Sequence, residues 1–179
     1  WGTDTLTDAS GVDTLNFTAA TNDLLFSIGV STLAVSGGTN SLNVLSGNVI
    51  EKLYGGSGND TFTFANTAVL AGNAVGTFID GGTGNNTLDY TAFSSPVYVN
   101  LSTKTAQGVN NNLANGINNI QNVKGGTSTN EIWGDDSDNI LVSGTTDDNL
   151  HGLGGNDTYV FYDSFGTDHV YDTAGNDTL

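Results

Sequence analysis

The sequence predicts an all-β fold: a right-handed parallel β-solenoid of nonapeptide units, two per coil, with irregular, wider coils over about 64–124. Three observations predict it. Apolar residues come in pairs two apart, which is strand spacing, and no stretch sustains a helical apolar period. Twenty-five Gly with one Pro, among abundant Asn, Asp and Thr, suit many tight turns joined by short strands. A nine-residue period recurs in two separate runs.

The first run pairs Leu15/Phe17, Leu24/Phe26, Leu33/Val35 and Leu42/Val44, and Leu53 and Phe62 continue its frame. A three-residue strand after a six-residue turn returns the chain to a stackable position when two such units close one coil. Each coil then buries its side chains and pairs its backbone only through its neighbours. A Gly-rich β-sandwich is the competing reading, although sandwich strands are ordinarily longer and hold no fixed frame over five units.

Between the runs the period breaks. Gly55 and Gly81 are 26 residues apart where 18 would be regular, so "FANTAVLAGNAVGTFIDGG" reads as a coil carrying a surface loop. "SSPVYVNLST" alternates Val97, Val99 and Leu101 inward, and "GINNIQNVKGG" places Ile117, Ile120 and Val123 at threes. These read as wider coils of the same solenoid, or alternatively as a small subdomain. The second run then sets Ile132, Leu141, Leu150 and Tyr159 nine apart, its units starting at Gly125, Gly134, Ser143 and Gly152.

Charge narrows the partners. Three Lys, no Arg and 19 acidic residues give a net charge of −16, which repels nucleic acid and anionic membrane surfaces and leaves cations as natural partners. A hydrophobic content of 36% is too high for a solvated tail, so the chain is expected to fold. Without Cys there is no disulfide framework and no thiolate zinc site, so oxygen-bound metal is the remaining staple. No apolar run approaches the roughly 18 residues of a membrane span, and the absence of Met reads as an excised or processed segment.

The nine residues Gly55 to Thr63, "GGSGNDTFT", match G-G-x-G-x-D-x-U-x at every position, U being a large apolar residue. Through this motif the chain resembles the RTX family, whose calcium-binding nonapeptides form parallel β-rolls. Physically, Ca²⁺ takes six to eight oxygens in a forgiving geometry, and a Gly-rich turn can aim several carbonyls at one point while an Asp adds charge. Other turns match less completely. "GGTGNNTLD" from Gly81 has Asn86 at the acidic position, "GLGGNDTYV" from Gly152 keeps Asp157, and "SGTTDDNLH" keeps Asp148. "GDDSDNILV" from Gly134 carries Asp135, Asp136 and Asp138, and "GGTSTNEIW" has no Asp. An Asn keeps an oxygen but loses a charge, so such turns should bind weakly or hold without metal.

In the family arrangement an ion lies between turns one coil apart. The resemblance therefore implies Ca²⁺ between turns 55–60 and 81–86, favoured on sequence, between 134–139 and 152–157, and between 125–130 and 143–148. The implied ligands are Gly55, Ser57, Asp60, Gly81, Thr83, Asn86, Gly134, Asp136, Asp138, Asp148, Gly152, Gly154 and Asp157. The chain reads as one continuous β-roll segment: nonapeptide coils over 1–63, mostly metal-poor, irregular coils with loop insertions over 64–124, and calcium-type coils over 125–179. Its turns "SGGTNS" and "LSGN" carry few carboxylates and belong to the metal-poor part.

Residues 1–15, "WGTDTLTDASGVDTL", align with residues 165–179, "FGTDHVYDTAGNDTL", with eight identities and no gap. This suggests one unit of a tandem array and the beginning of the next, or a segment that the family uses wherever coils resume.

No catalytic constellation is expected. Lys52, Lys104 and Lys124 are scattered, His151 and His169 have no evident nucleophile partner, and no G-x-S-x-G elbow occurs. The expected function is a calcium-stabilised structural or adhesive repeat of a secreted or cell-surface bacterial protein exported by type I secretion. Its expected partners are calcium ions, neighbouring repeats or identical subunits, and a cell-surface or carbohydrate partner, with no nucleic acid and no membrane insertion. The alternative is the C-terminal calcium-binding module of a secreted enzyme or toxin. Ice or carbohydrate binding on a Thr-rich face is a third reading, weakened by the mixed positions of the Thr residues within the nine.

Overall fold

The computed structural model describes residues 2–45 and 48–179. The turn expected at "LSGN" includes Ser46 and Gly47, which, like Trp1, lie outside the described residues. Among the described residues the chain is all-β, with two 3₁₀ turns at Leu70–Asn73 and Asn110–Asn112. No helix among the described residues is long and apolar enough to cross a membrane.

Among the described residues the strands form three sheets. The nine-stranded sheet runs, in spatial order, β1 (Thr3–Leu6), β5 (Asn40–Val44), β4 (Leu33–Gly37), β3 (Leu25–Ile28), β7 (Thr61–Phe64), β9 (Thr87–Asp89), β13 (Asn122–Lys124), β15 (Ile140–Val142) and β17 (Thr158–Val160). The five-stranded sheet is β11 (Thr105–Ala106), β10 (Tyr98–Asn100), β14 (Glu131–Trp133), β16 (Asn149–Leu153) and β18 (His169–Asp172). The four-stranded sheet is β12 (Ile117–Asn118), β8 (Phe78–Asp80), β6 (Lys52–Tyr54) and β2 (Thr14–Asn16).

Parallel stacking follows the sequence period. β13 pairs with β15, β15 with β17 and β14 with β16, each in parallel with partners 18 residues apart, as in Leu141 opposite Tyr159. The interval widens to 26 where β6 meets β8 and β7 meets β9, because the loop at 65–77 is inserted there. It is 20 between β16 and β18. Val97, Val99, Leu101, Ile117, Ile120 and Val123 are all buried in the same apolar cluster as the rest of the core, so residues 64–124 share that core.

The run from Leu24 to Val44 differs from the expected parallel coils. Here β3, β4 and β5 form an antiparallel meander, Phe26 opposite Val35 and Val35 opposite Leu42. A hydrogen bond from Gly29 N–H to the Thr32 carbonyl (2.8 Å) closes its first turn. Gly38, at φ +59°, supplies the left-handed residue of the second, between the paired Gly37 and Asn40. A nine-residue hairpin arm puts apolar residues two apart in the same frame as a nonapeptide unit, so period alone does not separate the two. Only the turns do, and this run has no G-G-x-G-x-D turn.

Side chains stack inward from one strand to the next. Phe26 and Phe62 lie 4.4 Å apart between ring centroids, and Phe64 and Tyr90 lie 4.8 Å apart, both nearly parallel. Such pairs add about 0.5–1.5 kcal/mol beyond their area burial. Leu88, Val123, Leu141 and Tyr159 continue the Phe62 line and are buried throughout.

Candidate metal centre

The turns that join these strands hold backbone N–H groups that no strand ladder can pair, and Asx side chains at two consecutive positions take them up. The fifth residue of a turn accepts from the same position of the following tier. Asn59 N–H donates to Asp23 Oδ1 (2.7 Å), Asn85 N–H to Asn59 (2.8 Å), Asn156 N–H to Asp138 (2.6 Å) and Asn176 N–H to Asn156 (3.0 Å). The sixth residue works the other way, accepting from the preceding tier. Leu24 N–H donates to Asp60 Oδ1 (2.8 Å), Asp60 N–H to Asn86 (2.8 Å), Asn130 N–H to Asp148 (2.6 Å) and Asn139 N–H to Asp157 (2.8 Å). Two antiparallel ladders of side-chain oxygens thus stitch the turns, and Asn serves as well as Asp in either.

The turns paired on sequence do stack. Thr83 N–H donates to the Gly56 carbonyl (3.0 Å), Thr145 Oγ1 to the Thr127 carbonyl (3.3 Å) and Gly154 N–H to the Asp135 carbonyl (3.4 Å). What stacking brings together differs from level to level.

At the level favoured on sequence, Asp60 is fully buried and its second oxygen accepts the Gly56 N–H (2.8 Å), so both oxygens face amides. Opposite it stands the buried Asn86, whose side-chain nitrogen donates to the Asn119 carbonyl (2.9 Å). Ser57 is exposed and hydrogen-bonds the Ala20 carbonyl. Gly55 and Gly81 are buried in the stack and Thr83 is exposed. Asp148 resembles Asp60, its second oxygen held by the Gly144 N–H (2.5 Å). Asp136 is exposed, and Asp138 is committed to the fifth-position ladder. Gly134 is buried and Gly154 half-buried.

Asp157 is different. It is 1% exposed, one oxygen accepts the Asn139 N–H, and Oδ2 is buried without a partner among the described residues. Carboxylate oxygens of Asp157, Asp172 and Asp177 lie within 4.8 Å of one another. Tyr159 Oη donates to Asp172 Oδ2 (2.6 Å), and Asp157 N–H donates to Asp177 Oδ1 (3.0 Å). Gly152 forms one wall of this cluster. A Cβ there would collide with Tyr159 Oη, Asp157 Oδ2 and Asp172 Oδ2, so only a glycine lets the oxygens approach.

Burial pushes the Asp157 carboxyl up to about 6, with the charges of Asp172, Asp177 and Asp138 adding to it. Burial also raises Asp60 and Asp148, against the opposing pull of the amides that hydrogen-bond them. A desolvated carboxylate among like charges is relieved by a proton or by a cation. The donors are all oxygen, the set a hard cation such as Ca²⁺ accepts, and they include no His or thiolate.

Asp172 and Asp177 escaped the sequence reading, although the signal was present. "GNDT" occurs at 58–61, at 155–158 and again at 175–178, where the 20-residue step hides the frame. A scan against protein-family models and a comparison with curated proteins both find no match. The fold and site define an all-β protein of stacked parallel strands whose turns are joined by carboxylates and amides.

Proposed function

We propose that the chain is a calcium-stabilised structural or adhesive repeat of a secreted or cell-surface bacterial protein. On this reading its sheets are the walls of a right-handed β-roll of the RTX kind. The observation that carries it is the buried, unpartnered Asp157 Oδ2 facing Asp172 and Asp177 across Gly152. Those residues would hold the ion, and the ion would supply the positive charge that the buried Asp157 lacks among its exposed neighbours. The first site thereby moves from the Asp60 level, favoured on sequence, to the Asp157 level.

Charge explains why such a chain would wait for calcium. At −16 the carboxylates oppose compaction, and a ligand at about 100 times its Kd adds about 2.7 kcal/mol per site to the folded state. In a calcium-poor cytoplasm the chain would stay open for export, and outside the cell it would close. A structural role also suits its few cations. Lys124 pairs with Asp89 (3.1 Å), Lys104 donates to Asn118 (2.7 Å), and His151 is stacked on Trp133 at 3.6 Å.

Circular dichroism and thermal melts in excess chelator and in millimolar calcium test this reading. We expect a cooperative β transition that calcium shifts upward and magnesium shifts less. Identical spectra and midpoints in chelator and calcium would refute it.

A further inference from the structure

The two ends of the sequence that share eight of fifteen residues also share backbone geometry. Gly11 and its counterpart Gly175 have φ of +140° and +147°, and Gly2 and Gly166 have φ of +110° and +82°. Each segment is hydrogen-bonded to the body of the protein on one flank, and the flanks are opposite. In the later segment, Thr178 N–H donates back to the Asp157 carbonyl (2.8 Å) and His169 N–H to the Asp148 carbonyl (2.8 Å). In the earlier one, the Asp13 carbonyl accepts forward from Lys52 (3.0 Å) and the Gly2 carbonyl from Ser41 (2.8 Å).

We propose that residues 165–179 and 1–15 are one and the same tier, seen from its two sides, and that a second copy of this sequence stacks on residues 165–179 at a period of 164 residues. This stacking presupposes that the chain is a repeat; it does not presuppose calcium.

Two further observations point to a stacked copy. Asp177 accepts the N–H of Asp157, and Asp168 accepts that of Asp148 (2.9 Å). Their counterparts are Asp13 and Asp4. Asp13 donates its own N–H forward to Glu51 (2.8 Å), as a sixth-position residue should, yet its Oδ2 is buried and meets no N–H. A preceding copy would bring it the N–H of its Asp157. On the other side, Val170 is 37% exposed, whereas its counterpart Leu6 is packed against the core beside β5. A following copy would cover it.

The stacking also fixes which sheets join. β18 lies in the five-stranded sheet and its counterpart β1 in the nine-stranded one. Thr178 bridges to β17 of the nine-stranded sheet, and its counterpart Thr14 lies in the four-stranded one. The five-stranded and the nine-stranded sheet therefore each continue into a different sheet of the next copy.

Cysteine capture tests the register, and the chain has no cysteine of its own. Residues 1–164 are fused directly to a second copy of 1–179, with Asn149→Cys in the first copy and Thr5→Cys in the second. Asn149 stands opposite His169, the counterpart of Thr5, so a disulfide should form under mild oxidation. The comparison is 1–179 fused to 1–179 with the same two substitutions, in which the duplicated tier keeps the thiols apart. We expect at least about tenfold more cross-link in the 164-residue fusion, and one unfolding transition for it with a midpoint about 5 °C or more above the comparison. Equal cross-linking, no cross-linking, or failure of the 164-residue fusion to fold would overturn the stacking. Cross-linking without any calcium response would sink the calcium reading and leave the stacking intact, and the reverse pair of results would do the opposite.

Discussion

Asp157 donates its backbone N–H to the carboxylate of Asp177 at 3.0 Å, while the two side chains, with Asp172, converge within 4.8 Å. One pair of residues thus joins the turn ladder to the acidic cluster. Substitution at Asp157 separates these roles. Asp157→Asn keeps an oxygen for the Asn139 N–H but removes the buried charge. Without metal its midpoint should equal or exceed that of the parent. In saturating calcium it should lose about 2.7 kcal/mol of ligand stabilisation. Paired melts in chelator and calcium check both signs.

The same carboxyl predicts a pH dependence. Its folded pKa, about 6, lies above the ordinary value of 3.8, so the folded chain binds the proton more tightly than the unfolded chain does. The stabilisation is complete below about pH 4 and is lost as pH rises through about 6, with Asp60 and Asp148 acting in the same direction. In chelator, stability should therefore rise by on the order of 2 kcal/mol between pH 7.5 and pH 5. Saturating calcium should flatten or invert this slope, because proton and ion compete. Melting temperatures across that range, with and without calcium, provide the measurement.

Asp60 should behave as a structural acceptor. Asp60→Ala leaves the N–H groups of Leu24 and Gly56 without their acceptor, at a cost of about 2–4 kcal/mol. Asp60→Asn should cost less than half as much, since Asn86, Asn130 and Asn139 fill the same place in other turns. Urea titrations in chelator measure both. If the two variants were equally damaged, the ladder account would fail.

In the core, Phe62→Ala removes a ring stacked on Phe26 and should cost about 3–5 kcal/mol. Ile140, 44% exposed on β15, is the control, and its alanine variant should stay within about 0.5 kcal/mol of the parent. Chemical denaturation of the two variants checks the contrast.

The apolar frame was legible because a buried line such as Phe62, Leu88, Val123, Leu141 and Tyr159 needs large apolar groups at every level. The turn pairings were legible too, since Gly and Asx mark them. Direction was not: the run from Leu24 to Val44 keeps the nine-residue frame while reversing the chain at each turn, and side-chain periodicity is blind to strand sense. Nor was the state of each carboxylate. Asp60 and Asp157 occupy the same motif position, but Gly56 gives Asp60 a second amide, whereas Leu153 stands at that position beside Asp157, whose second oxygen finds none. The difference lies in the neighbouring turns, where no single nonapeptide records it.

The opposed Asx ladders bear on how such a chain would respond to load. The tiers at 55–60, 143–148 and 152–157 each lend an acceptor to both of their neighbours, so none of these can be peeled away without stripping hydrogen bonds from the next. Pulled from one end, the chain would yield in steps, each 18-residue tier releasing about 60 Å of slack before the next begins to give. A molecule built in this way would absorb a tug by lengthening and would have the remaining tiers as a template on which to rewind.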